Sequence, residues 1–279
     1  MILRKIYYSF SPVVRRIIRR FVYFPIDIIE CLIGKRDKMT PPRGRIFIGS
    51  GDFKSQGERI TDQLVRYGGL KPDYKVLDIG CGIGRIAGPL TKYLSADGVY
   101  DGFDVVKAGI SWCQKNISSL YPNFHFTHID LKNDLYNLKT ARKAKDFVFP
   151  YPNEFFDFVF LISVFTHMLP EDVDGYLKQI HRVLKNGGTC FSTFFILNKN
   201  ILSRMDASAG IKFKYNMGNY MLHHKKVKEA NVAYDEHFLE KELIETCGFS
   251  ILQRYPGYWP DGINQDSLDF QDILIFKKV

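Results

Sequence analysis

The chain has 279 residues, 46% hydrophobic, 15% aromatic and 25% charged, which excludes a disordered or fibrous protein and leaves room for one large domain with an appendage. Its five cysteines, Cys31, Cys81, Cys113, Cys190 and Cys247, form no C-x-x-C pair, so neither a zinc framework nor a disulfide scaffold is expected and a reducing, cytoplasmic setting fits. The net charge is +9, but residues 1–45 hold eleven Lys/Arg against Asp27, Glu30 and Asp37, so +8 sits there and +1 in all the rest; a nucleic-acid enzyme would more often spread its positive charge over the catalytic face.

Residues 1–45 therefore read as a basic leader. Val13-Val14, Ile17-Ile18 and Phe21-Val22 alternate with Arg15-Arg16 and Arg19-Arg20, which predicts a basic amphipathic helix that Pro25 ends or kinks. A second apolar run, Ile26 to Ile33, is broken by Asp27 and Glu30. No apolar stretch reaches the ~18–20 residues a bilayer crossing needs. Two readings stand: a peripheral anchor that lays residues 1–35 on an anionic membrane, with Tyr7, Tyr8, Phe21, Tyr23 and Phe24 at the interface, or a helix packed on the catalytic body or a second subunit with its arginines in solvent.

After the linker around Pro41-Pro42, residues 46–279 alternate between helix and strand. The pattern predicts a helix over 55–67, strand 75–79, helix 84–94, strand 98–104, helix 107–120, strand 124–129, strand 156–162, helix 170–184 and strand 188–196. Such alternation implies right-handed crossovers and a doubly wound, mostly parallel α/β sheet, Rossmann-like. Residues 198–237 follow no single period and read as a lid or cap, or else as a disordered excursion. A helix over 236–247 and strands over 249–255 and 271–277 complete the chain, the last strand antiparallel.

Lys75-Val76-Leu77-Asp78-Ile79-Gly80-Cys81-Gly82-Ile83-Gly84-Arg85 is a strand running into a glycine-rich turn that opens a helix. Glycines at alternate positions let backbone pass close to a ligand and present amides at a helix start. The dinucleotide fingerprint G-x-G-x-x-G needs its third glycine where Arg85 stands, which counts against a dehydrogenase. Asp78, two places before the first glycine, suits a ligand bearing an ammonium group better than a pyrophosphate.

The VLDIGCGIGR segment resembles the first motif of the class I S-adenosylmethionine-dependent methyltransferases. Further matches follow in order at Tyr100-Asp101-Gly102-Phe103-Asp104, His128-Ile129-Asp130-Leu131, Phe156 to Ser163 and Leu184-Lys185-Asn186-Gly187-Gly188-Thr189. The resemblance implies a seven-stranded sheet, S-adenosyl-L-methionine as cofactor, and a cofactor set of Asp78, Gly80, Cys81, Gly82, Gly84, Asp104, Val105, Asp130, Leu131 and Ser163. Asp104 would accept both ribose hydroxyls, and Asp130 with the amide of Leu131 would meet the adenine edge.

His167, just past the fourth strand, is the candidate general base. Tyr234 to His237 and the pair His223-His224 are further polar clusters, the latter read as a solvated turn. No His/Asp/Glu set has metal-ligand spacing on one helix face, so no metal is expected. The chain lacks the Asn/Asp-Pro-Pro-Tyr/Phe and Pro-Cys signatures of two nucleic-acid methyltransferase chemistries. A small-molecule or glycan hydroxyl is therefore the expected acceptor, at the cytoplasmic membrane face. The alternatives are an RNA methyltransferase whose leader grips phosphates, and a non-catalytic interaction module that kept the fold.

Overall fold

The computed structural model describes residues 12–34, 36–47, 51–133, 137–138, 140–205, 210–262 and 267–279. Tyr7, Tyr8 and parts of the cap and of the C-terminal loop therefore lie outside the described residues.

Strands β1 (Lys75–Ile79), β2 (Val99–Asp104), β3 (Phe124–His128), β4 (Phe156–Leu161) and β5 (Leu184–Phe194) are parallel neighbours, and β10 (Phe249–Tyr255) and β11 (Asp272–Lys278) close the sheet in the order β10-β11-β5-β4-β1-β2-β3. β11 runs antiparallel to both of its neighbours. The alternation of side chains along a strand builds two cores. Leu77, Ile79, Val159 and Leu161 face one layer, and Val76, Phe158 and Phe160 the other. Helix α2 (Phe53–Arg66) adds Ile60 and Leu64 to the second layer, while α5 (Pro170–Val183) adds Val173, Leu177, Ile180 and Val183 to the first. The chain order reverses at β1, whose neighbours are β2 and β4, so the glycine turn after β1 opens at the carboxyl edge where such sheets bind ligands.

Some elements are shorter than their periodicity suggests. Regular helix in the 84–94 segment is confined to α3 (Ala87–Leu90), because Gly84 has φ +79° and Pro89 brings no amide donor. The 107–120 helix is α4 (Lys107–Cys113) continued by a wider π turn, Gln114–Ser118.

The 198–237 segment is ordered where described. It holds α6 (Lys199–Arg204) and strands β7 (Tyr215–Asn216), β8 (Tyr220–Leu222) and β9 (Val232–Asp235), which with β6 (Ile196–Leu197) form a second, four-stranded sheet. Strands of two to four residues are too short to show a period in sequence. Phe195, Leu197, Met205, Phe213, Ala233 and Trp259 pack beneath this sheet. Asp272 ties it to the main sheet, its carboxylate accepting from the amides of Ile196 and Gly257 (both 2.8 Å) and from the Trp259 indole (2.7 Å). A final helix, α7 (Phe238–Glu245), has π-type turns.

The leader helix α1 runs from Pro12 to Leu32 through Pro25, so the proline does not end it. A proline removes the hydrogen bond to the carbonyl four residues back, which is Phe21, and here both residues are exposed, so that carbonyl can turn to water. The helix turns its apolar stripe outward, which departs from the reading of a helix packed on the catalytic body with its arginines in solvent. Its polar stripe meets the turn at Arg43–Arg45: Asp27 accepts from the amides of Arg43 (2.6 Å) and Gly44 (3.0 Å), Arg43 pairs with Glu30 (2.7 Å), and Arg36 reaches Asp27 (3.3 Å). Gly44 is needed for the close approach, since a Cβ there would lie 3.0 Å from the Cα of Arg20. The apolar residues Ile17, Phe21, Phe24, Ile28, Ile29 and Leu32 are exposed.

Candidate active site

A cavity of about 540 Å³ lies at the carboxyl edge of β1, β2 and β4. The glycine turn forms its floor. Gly80, Gly82 and Gly84 all have positive φ, at 77°, 61° and 79°, and a Cβ on Gly80 would stand 2.5 Å from the Val164 side chain. Four amides of the turn are spent within the protein, three of them on β2, contrary to the expectation that they greet a ligand. Gly80 and Cys81 donate to the Phe103 carbonyl (2.9 and 3.1 Å), Gly84 to Cys81 (3.0 Å), and Gly82 to Asp104 Oδ2 (2.9 Å). A loop so engaged makes a poor phosphate cradle.

The acids carry the polar character of this wall. Asp104, at the end of β2, has each oxygen fixed by one amide, Gly82 on Oδ2 and Val106 on Oδ1 (2.7 Å). Each oxygen keeps a second lone pair, in the arrangement that accepts from a vicinal diol. Burial pushes its pKa up and the two amides oppose that. Asp78 is buried on β1 and accepts from the Tyr100 hydroxyl at 2.6 Å. Burial is the main cause that lifts its pKa to about 7, with Tyr100 pulling the other way. A buried carboxyl of this kind is stabilised as an anion by a cationic ligand group.

The opposite wall brings in His167, in the turn Phe165–His167. Its Nδ1 lies 3.0 Å from the Glu229 carbonyl, which can only accept, so Nδ1 carries the proton and Nε2 the lone pair. Burial lowers its pKa and keeps the ring neutral. The cap sets this turn: Glu229 belongs to it, and so does Tyr234, whose buried hydroxyl donates to the carbonyls of Phe165 (3.0 Å) and Met168 (2.5 Å). Ser163 is in the left-handed region at φ 58°, rare for a serine. Its amide donates to Thr193 Oγ1 (2.8 Å) and its hydroxyl to Gln271 Oε1 (2.9 Å).

Of the residues expected at the site, Asp78, Gly80, Cys81, Asp104, Val105, Leu131, Ser163 and His167 line the cavity. Gly82 and Gly84 do not; Gly82 orients Asp104, and Gly84 makes room for Cys113 and Ile117, whose side chains would lie 3.0 and 2.8 Å from a Cβ there. Asp130 is exposed and absent from the lining, its Oδ1 tied back by Asn137 Nδ2 at 2.9 Å. Tyr234 holds the His167 turn from beneath, Asp235 caps the following helix through the Phe238 amide (3.0 Å), and His237 is exposed. His224 Nδ1 accepts from the amides of Lys226 and Val227, as a solvated turn residue does.

Sequence reading missed two segments of the cavity wall. Gln56 and Arg59 of α2, and Tyr258, Asp269, Phe270 and Gln271 of the loop before β11, complete the cavity. Arg59 fastens that loop through Asp269 (2.9 Å) and the Leu268 carbonyl (3.0 Å). The available signal was the loop's length, since long irregular loops in compact domains are usually functional. Among the described residues no group of three or more His, Cys, Asp or Glu could hold a metal ion.

Residues 76–188 match the family described as the methyltransferase domain. The chain is 25% identical over 222 residues to sterol 24-C-methyltransferase erg-4 of Neurospora crassa, covering 74% of this chain and 52% of that one. It is 28% identical over 139 residues to tRNA N(3)-cytidine methyltransferase METTL2 of Gallus gallus, covering 47% and 33%. The chain thus spans about a third to a half of the length of these curated relatives. Among solved structures, the PH0226 protein of Pyrococcus horikoshii OT3 superposes with a TM-score of 0.56 at 18% identity, covering 84% of this chain and 95% of that one, a likeness of fold. The glycine turn, the paired acids and the sheet order accompany this match, so the segment over residues 76–188 is similar to the class I S-adenosylmethionine-dependent methyltransferases.

Proposed function

We propose that the protein transfers a methyl group from S-adenosyl-L-methionine to a hydroxyl of a small molecule or a glycan, in the cytoplasm at the inner face of a membrane. The observation that carries this reading is the meeting of Asp78, Gly80 and Asp104 with His167 and Ser163 in one cavity. The residues fit the cofactor: Asp104 suits the ribose diol, Asp78 the ammonium group, and Leu131 can border the adenine. When bound, S-adenosylmethionine supplies an electrophilic methyl group on a sulfonium.

The chain's own part is to hold, dry and deprotonate. His167, neutral and held by the Glu229 carbonyl, takes the acceptor's hydroxyl proton on Nε2. Ser163 and Gln271 orient the acceptor, and Phe270, Tyr258 and Met168 exclude water around it. An RNA acceptor, as in the avian relative's name, has less support, because the chain after residue 45 carries only +1 and residues that grip phosphates are positive.

Calorimetric titration with S-adenosylmethionine and S-adenosylhomocysteine tests the cofactor site. Wild type should bind both, and Asp104→Ala should weaken both by ~100-fold or more, since a charge-assisted pair of hydrogen bonds is lost. No binding by wild type would sink the reading. His167→Ala should leave cofactor affinity unchanged and lower methyl transfer by ~10²–10⁴-fold.

A further inference from the structure

In α1 the apolar face looks outward and the charged face inward. Phe21 and Leu32 are 77% and 80% exposed, and Val22, Phe24, Ile29 and Ile33 are exposed beside them. A soluble helix that packs on its own domain does the opposite, and exposed apolar patches of this extent mark an interaction site. The polar face is already taken, because Asp27 and Glu30 bind Arg36, Arg43 and the amide of Gly44. Rotating the helix to hide its apolar stripe would break all of these contacts. Among the described residues nothing covers the stripe, which points to an occupant from outside them.

Charge selects the occupant. By the helical period, Arg15 and Arg20 fall at the two edges of the apolar arc, with Arg16 and Arg19 between them on the polar side. The arginines crowd one another: burial, then Arg20 and Arg15, push the Arg16 pKa down. With Lys38 and Arg45 nearby in sequence, residues 1–45 carry +8. An apolar face flanked by guanidinium groups at headgroup height is complementary to an anionic bilayer surface, where acyl chains meet the stripe and lipid phosphates meet its edges. Among the described residues no helix is long and apolar enough to cross a membrane, so the fit is to the surface.

We infer that α1 is an interfacial helix, held to the chain by its polar face and inserted by its apolar face into the headgroup region of an anionic bilayer surface. The link to the cavity is short. The turn Arg43–Arg45 packs on α1, and Phe47, four residues past Arg43, lines the cavity; four residues reach at most ~14 Å. Docking thus holds the acceptor pocket beside the lipid headgroups and favours acceptors carried by the membrane. This rests on the membrane-face part of the proposed function and not on the choice of acceptor atom.

The test is flotation of the full chain with vesicles of phosphatidylglycerol and phosphatidylcholine, against vesicles of phosphatidylcholine alone, with cofactor titration of the same preparations as a fold control. Wild type should float with the anionic vesicles, release at high salt, and bind pure phosphatidylcholine about tenfold less well or worse. Phe21→Glu/Leu32→Glu, both changes at exposed positions, should abolish flotation and leave cofactor binding unchanged. The inference is overturned if cofactor-competent wild type does not float, if the double variant floats equally well, or if zwitterionic vesicles serve equally. It is also overturned if light scattering shows a dimer that the double variant dissolves, because a second copy then covers the face. Flotation without cofactor binding would uphold the docking and defeat the cofactor reading.

Discussion

Helices α1 and α5 are both amphipathic, and they sit on the protein in opposite senses. α5 presses Val173, Leu177, Ile180 and Val183 into the core and leaves Lys178 outside, paired with Asp174 at 2.6 Å. α1 turns its acids and arginines toward the chain and its isoleucines and phenylalanines away from it. The pattern within each helix is the same kind of pattern. What differs is the neighbour: α5 lies on a broad apolar sheet face, while α1 meets a single polar turn whose amides need acceptors. A helix places inward whichever face its neighbour can satisfy.

The largest effect expected from this contrast is at Leu177, which is fully buried. Leu177→Ala should lower the unfolding free energy by ~2–5 kcal/mol through lost transfer energy and a cavity, measured by urea denaturation. Next comes Asp27→Ala, which strips the acceptor from the Arg43 and Gly44 amides and should loosen α1 by ~1–3 kcal/mol. Hydrogen exchange should show lost protection at residues 43–45 with the main transition almost unmoved. A drop in the main transition as large as that of Leu177→Ala would break the contrast, by making the leader part of the core.

The two acids Asp27 and Asp78 sharpen it further. Asp27 already has its partners, whereas Asp78, with a pKa of about 7, is largely protonated below neutrality. A cationic cofactor binds the ionised form, so affinity should rise with pH, by up to ~10-fold per unit below pH 7, and level off above it. Calorimetry from pH 5.5 to 8.5 reads this slope, and Asp78→Asn should flatten it. The smallest effect belongs to Leu32→Ala, where an 80% exposed side chain should change stability in solution by no more than ~0.5 kcal/mol, although the same face governs flotation.

The succession of strands along the chain and the glycine turn were legible in the amino-acid sequence because both follow from local rules: Val76, Leu77 and Ile79 read as a buried strand, and Gly80, Gly82 and Gly84 stand where backbone must turn with positive φ. The orientation of α1 was not legible, since periodicity says which residues share a face and nothing about what lies opposite. Nor was the fate of the loop amides, which depends on Phe103 and Asp104 arriving from β2. Asp130 looked like a ligand by its position at a strand end, and Asn137, seven residues later, draws it away. Gln271 was invisible for a similar reason: its contact with Ser163 spans 108 residues.

The Tyr234 hydroxyl, shared between the carbonyls of Phe165 and Met168, makes the small sheet and the His167 turn a single cooperative unit. Opening one without the other is costly, because separating them strands the buried Tyr234 hydroxyl and the buried Met168 carbonyl. Amides of β8 and β9 and of the turn around His167 should then exchange with solvent at one common rate, and Tyr234→Phe should raise that rate for both together.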